Sequence, residues 1–141
     1  MAAAEENIRI RLLGDISDTL LKDAAALYLA ADWVSETADF SFIRRAFEGS
    51  FLAAGAFDGS RMIAMGRVLS DGVSDAYIQD VAVLPDFRGR GIGGKIVTFL
   101  VEELEKRGVD WIALVGEPGT ENFYKRLGFE KKAGFSLWKW K

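Results

Sequence analysis

The chain has 141 residues, half of them hydrophobic, with ten Phe, four Trp and a formal net charge of −3. A single domain over residues 1–141 is expected, large enough to bury roughly 70% of its unfolded surface. There is no cysteine and no histidine, which excludes disulfides, thiolate and imidazole metal sites, and any catalytic triad that needs either residue.

Acid–base chemistry therefore falls to carboxylates, Tyr, Lys or water, and no metal is expected. The acidic balance argues against nucleic acid as a partner, since such domains usually carry a basic excess. The opening MAAAEENIRI lacks the apolar stretch of a signal peptide. The longest clean apolar run, AAALYLAA, is far below the ~18 residues of a membrane helix. A cytoplasmic protein without a membrane partner is expected.

In chain order, Ile8, Ile10 and Leu12 alternate with Arg9 and Arg11, which predicts a first strand. From Asp18 to Trp33, Leu20, Leu21, Ala24, Leu27, Tyr28 and Ala31 recur at helical spacing, with Ser17 or Asp18 as the cap. A shorter helix is predicted from Thr37 to Phe47. Two strands follow, Phe51 to Phe57 and Arg61 to Leu69, joined by the hairpin signal Asp58-Gly59. The turn Ser70-Asp71-Gly72 leads to a strand from Asp75 to Leu84, stopped by Pro85.

A long helix begins at Gly91, with Ile92, Ile96, Leu100 and Leu104 in one stripe and Gly108 as its C-terminal glycine. Trp111 to Val115 is a short strand, Thr120 to Leu127 a short helix ended by Gly128, and Phe129 to Trp140 a final strand or hairpin. The piece from Asp75 to Val115 predicts a parallel crossover. The remaining strands pair antiparallel, giving an α+β (mixed α/β) layer with helices on the sheet faces.

The stretch RGRGIGGKI, Arg88 to Ile96, fits three anion-binding templates. All rest on the same physics: a helix start exposes unpaired N–H groups and partial positive charge, and glycines let the backbone approach an anion. The dinucleotide pattern G-x-G-x-x-G fails on context. Leu84 to Arg88 separate it from the strand, and too little chain follows Glu117 for the further strand–helix units it needs. The triphosphate pattern fails on chemistry, because Ile96 stands where a Mg²⁺-ligating hydroxyl belongs. The third, R-x-x-G-x-G over Arg88, Gly91 and Gly93, suits the pyrophosphate of coenzyme A.

Its surroundings agree with it. IQDVAVLPDFRGRGIGGKIVTFLVEEL, Ile78 to Leu104, closely resembles the signature of the GNAT superfamily of acyl-CoA-dependent N-acyltransferases, and ENFYKRLGF, Glu121 to Phe129, resembles its F-Y-x-x-L-G-F segment. The element order also resembles that fold, so the likeness covers most of the chain. The resemblance implies a central, mostly antiparallel sheet of six to seven strands, splayed in the middle and flanked by about four helices. It also implies acetyl-CoA as co-substrate and transfer of the acetyl group directly to an amine. Val81, Ala82 and Val83 are expected to contact the pantetheine arm, and Arg88, Gly89, Arg90, Gly91, Ile92, Gly93 and Gly94 to cradle the pyrophosphate.

Three tasks follow for the mechanism. An alkylamine is only about 0.1% neutral at pH 7, so a base or water chain is needed. The thioester oxygen needs a donor, for which the N–H of Val81 is the choice. The thiolate needs an acid, a role that the resemblance gives to Tyr124. Asp80 and Glu117 are candidate bases, and with Trp33 are expected at the acceptor. Many relatives carry an asparagine in the loop before the tyrosine helix. Here Asn122 is the nearest one, displaced toward Tyr124, and it is expected to contact the cofactor.

The acceptor site is expected among Tyr28, Trp33, Phe40, Phe42, Phe135, Trp138 and Trp140. The pattern also somewhat resembles the plastid-type serotonin N-acetyltransferases and their bacterial relatives, which implies a small-molecule amine such as an arylalkylamine. A peptide or protein amine, an aminoglycoside, and a non-catalytic acyl-CoA-binding module are the alternatives. A homodimer is compatible with the C-terminal strands.

Overall fold

The computed structural model describes residues 7–141. For residues 1–6, the expectation about the N-terminus lies outside the described residues. Five strands form one sheet in the order β1-β2-β3-β4-β5. They are β1 (Ile8–Leu12), β2 (Leu52–Asp58), β3 (Arg61–Ser70), β4 (Asp75–Val83) and β5 (Trp111–Leu114). Neighbours from β1 to β4 are antiparallel, and β4 and β5 are parallel. Four helices accompany them: α1 (Asp18–Ala30), α2 (Phe42–Glu48), α3 (Ile92–Lys106) and α4 (Glu121–Arg126). Among the described residues no helix is long and apolar enough to cross a membrane.

Local chemistry explains the ends. Ser17 caps α1, its hydroxyl accepting from the Leu20 N–H at 3.1 Å. The helix stops at Ala30, three residues before the predicted end. Asp32 turns left-handed at φ 60°, and the N–H groups of Asp32 and Trp33 return to the carbonyls of Leu29 and Tyr28. That is the Schellman closure, here with Asp in the position glycine usually takes. α2 starts at Phe42 rather than Thr37 because Asp39 accepts the Ser41 N–H at 2.9 Å and holds a turn there. Asp58 pairs with Arg61, so the hairpin loop is Gly59-Ser60, with Gly59 at φ 61°.

The α3 stripe is buried as its spacing predicts: Ile92, Ile96, Leu100 and Leu104 all lie in the core, as does Val68 of β3. Burying each such side chain contributes about 1.5–3 kcal/mol. Gly66 of β3 lets α3 come close, for a Cβ there would stand 2.9 Å from Ile96 Cγ2. Neighbours along a strand face opposite ways. Arg67, next to Gly66, accordingly faces α1, so α1 and α3 cover opposite faces of β3.

The fold class is the expected one, but among the described residues the sheet has five strands rather than six or seven. The segment from Phe129 to Trp140 adds no strand. Glu130-Lys131-Lys132 breaks any alternation, and a turn then closes from the Phe135 N–H to the Lys132 carbonyl. Phe135, Leu137, Trp138 and Trp140 remain 72–89% exposed.

Candidate active site

Two features of β4 create the site. The first is a bulge. Met65 pairs with Ala82 and Arg67 with Gln79, so Asp80 and Val81 together oppose the single residue Gly66. Asp80 sits at φ 55°, a left-handed conformation that costs a non-glycine residue about 1–3 kcal/mol. The second is the end of pairing with β5: the ladder stops at Ile78–Leu114. Beyond it, on the side away from β3, the edge of β4 from Gln79 to Val83 has no strand beside it among the described residues.

A cleft of about 1260 Å³ opens along this edge. Val81, Ala82 and Val83 line one wall and Phe123 and Tyr124 the other, with the start of α3 at one end and Trp33 and Glu117 also on its lining. The parted strands thus offer main-chain donors and acceptors to an elongated ligand that carries amides.

At the start of α3, Gly89 and Gly91 both adopt φ 77°. No N–H from Gly89 to Gly94 has a backbone acceptor among the described residues. That of Lys95, bonded to the Gly91 carbonyl at 3.1 Å, is the first in the run to have one. A run of unpartnered amides at the positive end of a fifteen-residue helix suits a diphosphate. Lys95 and Arg126 line the same cleft and have no ion-pair partner among the described residues.

Arg88 and Arg90 also brace the loop from within. Arg88 donates from Nε to the Val83 carbonyl at 2.9 Å and from a terminal nitrogen to the Ala30 carbonyl at 3.4 Å, stapling the loop to β4 and α1. Arg90 donates to the Asp86 carbonyl at 3.0 Å and lies over the Phe87 ring. What the loop presents is therefore mainly its amides, and the Val83 carbonyl is already engaged.

Tyr124 lines the cleft, held edge-on by Phe123 and Phe129. Burial raises its phenol pKa, and the nearby negative charge of Glu117 raises it further. The group keeps its proton at neutral pH and can act as a donor. Glu117 in turn accepts a hydrogen bond from Trp33 Nε1 at 3.0 Å. Trp33 packs edge-on against Tyr28, which packs likewise on Phe42.

Five more of the expected residues stand elsewhere. Asp80 does not line the cleft. Its Oδ2 accepts from Tyr28 Oη at 2.5 Å and from Arg67 Nε at 2.7 Å, on the α1 face. Asn122 is exposed and does not line the cleft either, because at this register α4 turns Phe123 and Tyr124 inward instead. The aromatic residues of the tail are solvent-exposed and apart from the Tyr28–Trp33–Phe42 group, since the tail adds no strand to the sheet. Sequence reasoning did not single out Arg67, whose only signal was one charge inside the apolar strand MIAMGRVL. Among the described residues no group of acidic side chains is arranged to hold a metal.

The sequence profile of the acetyltransferase (GNAT) family matches residues 17–129. Among curated relatives, the chain is 31% identical over 113 residues to the uncharacterized N-acetyltransferase ycf52 of Gracilaria tenuistipitata var. liui, covering 77% of this chain and 61% of that protein. It is 37% identical over 91 residues to the chloroplastic serotonin N-acetyltransferase 2 of Oryza sativa subsp. japonica, covering 62% of this chain and 46% of that protein. The chain spans about half the length of the curated relatives it matches. Among solved structures, it matches the GNAT-family acetyltransferase SP0256 from Streptococcus pneumoniae TIGR4 with a TM-score of 0.76 at 25% identity, covering 94% of this chain and 97% of that one.

Proposed function

The chain belongs to the GNAT family of acetyltransferases, and from that premise we propose that it transfers the acetyl group of acetyl-CoA to the primary amine of a small aromatic molecule, an arylalkylamine. The observation that carries the reading is the single cleft joining the amides of Gly89–Gly94, the open edge of β4 and the protonated Tyr124.

Acetyl-CoA supplies an acetyl group already activated as a thioester. Toward it, the amides at the start of α3 hold the pyrophosphate, with Lys95 and Arg126 adding charge. The open edge of β4 holds the amide-bearing arm, and the N–H of Val81 donates to the acetyl oxygen, where negative charge grows as the amine attacks. Tyr124 keeps a proton at Oη for the sulfur that departs as the new C–N bond replaces C–S. Glu117, beside Trp33, attracts the acceptor's ammonium group and takes up its proton, directly or through water. The aromatic group of Trp33, Tyr28 and Phe42 favours a flat apolar body next to that amine. The relative named as a serotonin N-acetyltransferase supports the same acceptor class.

A thiol-release assay with acetyl-CoA and a panel of arylalkylamines, aliphatic amines, aminoglycosides and peptides tests this. The expected result is amine-dependent release that is fastest with an arylalkylamine. Preference for an aminoglycoside or peptide overturns the acceptor assignment. No thiol release with any amine, in a protein that still binds acetyl-CoA, makes it an acyl-CoA-binding module instead.

A further inference from the structure

Asp80 occupies the one position of β4 with a left-handed backbone, inside the bulge. Its carboxylate is not free. One oxygen accepts from both Tyr28 Oη and Arg67 Nε, at 2.5 and 2.7 Å. Arg67 continues to Ser50 Oγ at 3.3 Å, and Ser50 to the Ala46 carbonyl at 2.7 Å. The ion pair is mostly buried, with 15% of the Arg67 and 22% of the Asp80 side chain exposed. The chain of contacts thus runs from α1 and α2, through β3, to the bulge. On the opposite face, Val81 packs toward Gly66, with its Cγ2 3.4 Å from where a Cβ on that glycine would stand. The bulge is fixed from both sides: by polar contacts to Asp80 on one face and by α3 packing on the other.

We propose that Arg67, Tyr28 and Asp80 are positioning residues, a tether that holds the β4 bulge so that the main-chain N–H of Val81 meets the acetyl oxygen. This rests on the acetyl-transfer reading above. Asp80 then acts through the backbone it fixes and not as the base that deprotonates the amine. A base needs a carboxylate oxygen free to take up a proton, whereas the oxygen seen here already accepts from a phenol and an ion-paired guanidinium.

Three variants separate the roles. Asp80→Asn tolerates the left-handed backbone and keeps an oxygen for Tyr28 and Arg67. Asp80→Gly keeps the backbone freedom and loses the tether. Asp80→Gly with Arg67→Met removes both charges, which guards against a fold weakened by an unpaired buried cation. The readouts are turnover with the best amine of the panel, affinity for CoA by calorimetry, and the carbonyl ¹³C shift of bound [1-¹³C]acetyl-CoA.

Loss of the tether should lower turnover roughly tenfold to a hundredfold and move the carbonyl shift toward its free value, in the single and the double variant alike. CoA affinity should stay within about twofold, because the pyrophosphate is held elsewhere. Asp80→Asn should restore the shift and most of the turnover. Equal loss in Asp80→Asn and Asp80→Gly overturns the proposal in favour of a base. Unchanged turnover and shift in Asp80→Gly overturns it in favour of a role in folding only. Should the wild type transfer to no amine, the acetyl-transfer reading fails, yet the carbonyl shift still decides on the tether: a shift identical in all variants overturns it.

Discussion

Trp33 and Glu117 lie 84 positions apart in the chain and meet at the cleft, the indole N–H donating to the carboxylate at 3.0 Å. The contact joins the loop after α1 to the loop after β5. It depends on where α1 stops. The left-handed Asp32 and the return of the Trp33 N–H to the Tyr28 carbonyl deliver the indole to this place. Trp33→Phe keeps an aromatic ring against Tyr28 and releases Glu117. The expected result is a rise of about fivefold in the KM for the acceptor amine, with CoA affinity unchanged. An unaltered KM would detach this pair from acceptor binding.

Tyr124 lines the cleft and has a raised pKa, caused first by burial and then by Glu117. Tyr124→Phe should lower turnover roughly tenfold or more while acetyl-CoA still binds. Steady-state kinetics beside calorimetry check both halves, and full turnover in the variant would remove Tyr124 from proton transfer.

Much of this fold is legible in the sequence. The stripe of Ile92, Ile96, Leu100 and Leu104 announced α3 because one buried face needs that spacing, and the glycine loop announced an anion site because its backbone chemistry is local. Contacts that depend on tertiary placement were not legible. Asp80 stood out in the sequence, yet its partners Tyr28 and Arg67 lie 52 and 13 positions away, and no periodicity connects them. The end of α1 was misplaced because Asp32 takes a conformation that usually signals itself with glycine. The apolar residues of the tail suggested a strand, but a strand exists only where a neighbour pairs with it.

Gly66 is where α3 presses on the bulged part of the sheet. A methyl group there would stand 2.9 Å from Ile96 Cγ2 and 3.1 Å from Leu100 Cδ1. Gly66→Ala should therefore destabilise the fold by about 1–3 kcal/mol through overpacking, lowering the melting temperature by about 4 °C per kcal/mol. A calorimetric scan checks it, and an unchanged midpoint would mean that α3 moves aside freely.

Alkaline pH should weaken the fold through Tyr28. Its phenol is pushed well above the ordinary value of 10.0 by burial, by the hydrogen bond to Asp80 and by that residue's charge. The folded state thus holds the proton more tightly than the unfolded chain does. This contribution is fully present below pH 10 and is lost as pH rises above it toward the folded value. Urea unfolding at pH 8 and pH 11 should show the loss, and Tyr28→Phe should reduce it. An equal decline in the variant would place the effect in other groups.

The central claim is that the amides of Gly89–Gly94 grip the pyrophosphate and so direct the thioester along the open edge of β4. Titration calorimetry with acetyl-CoA, on the wild type and on Gly91→Asp, tests it most directly. The account predicts binding at one site per chain in the wild type and none in the variant, where a carboxylate would face the diphosphate. Absence of heat in the wild type, or undiminished affinity in Gly91→Asp, would contradict it.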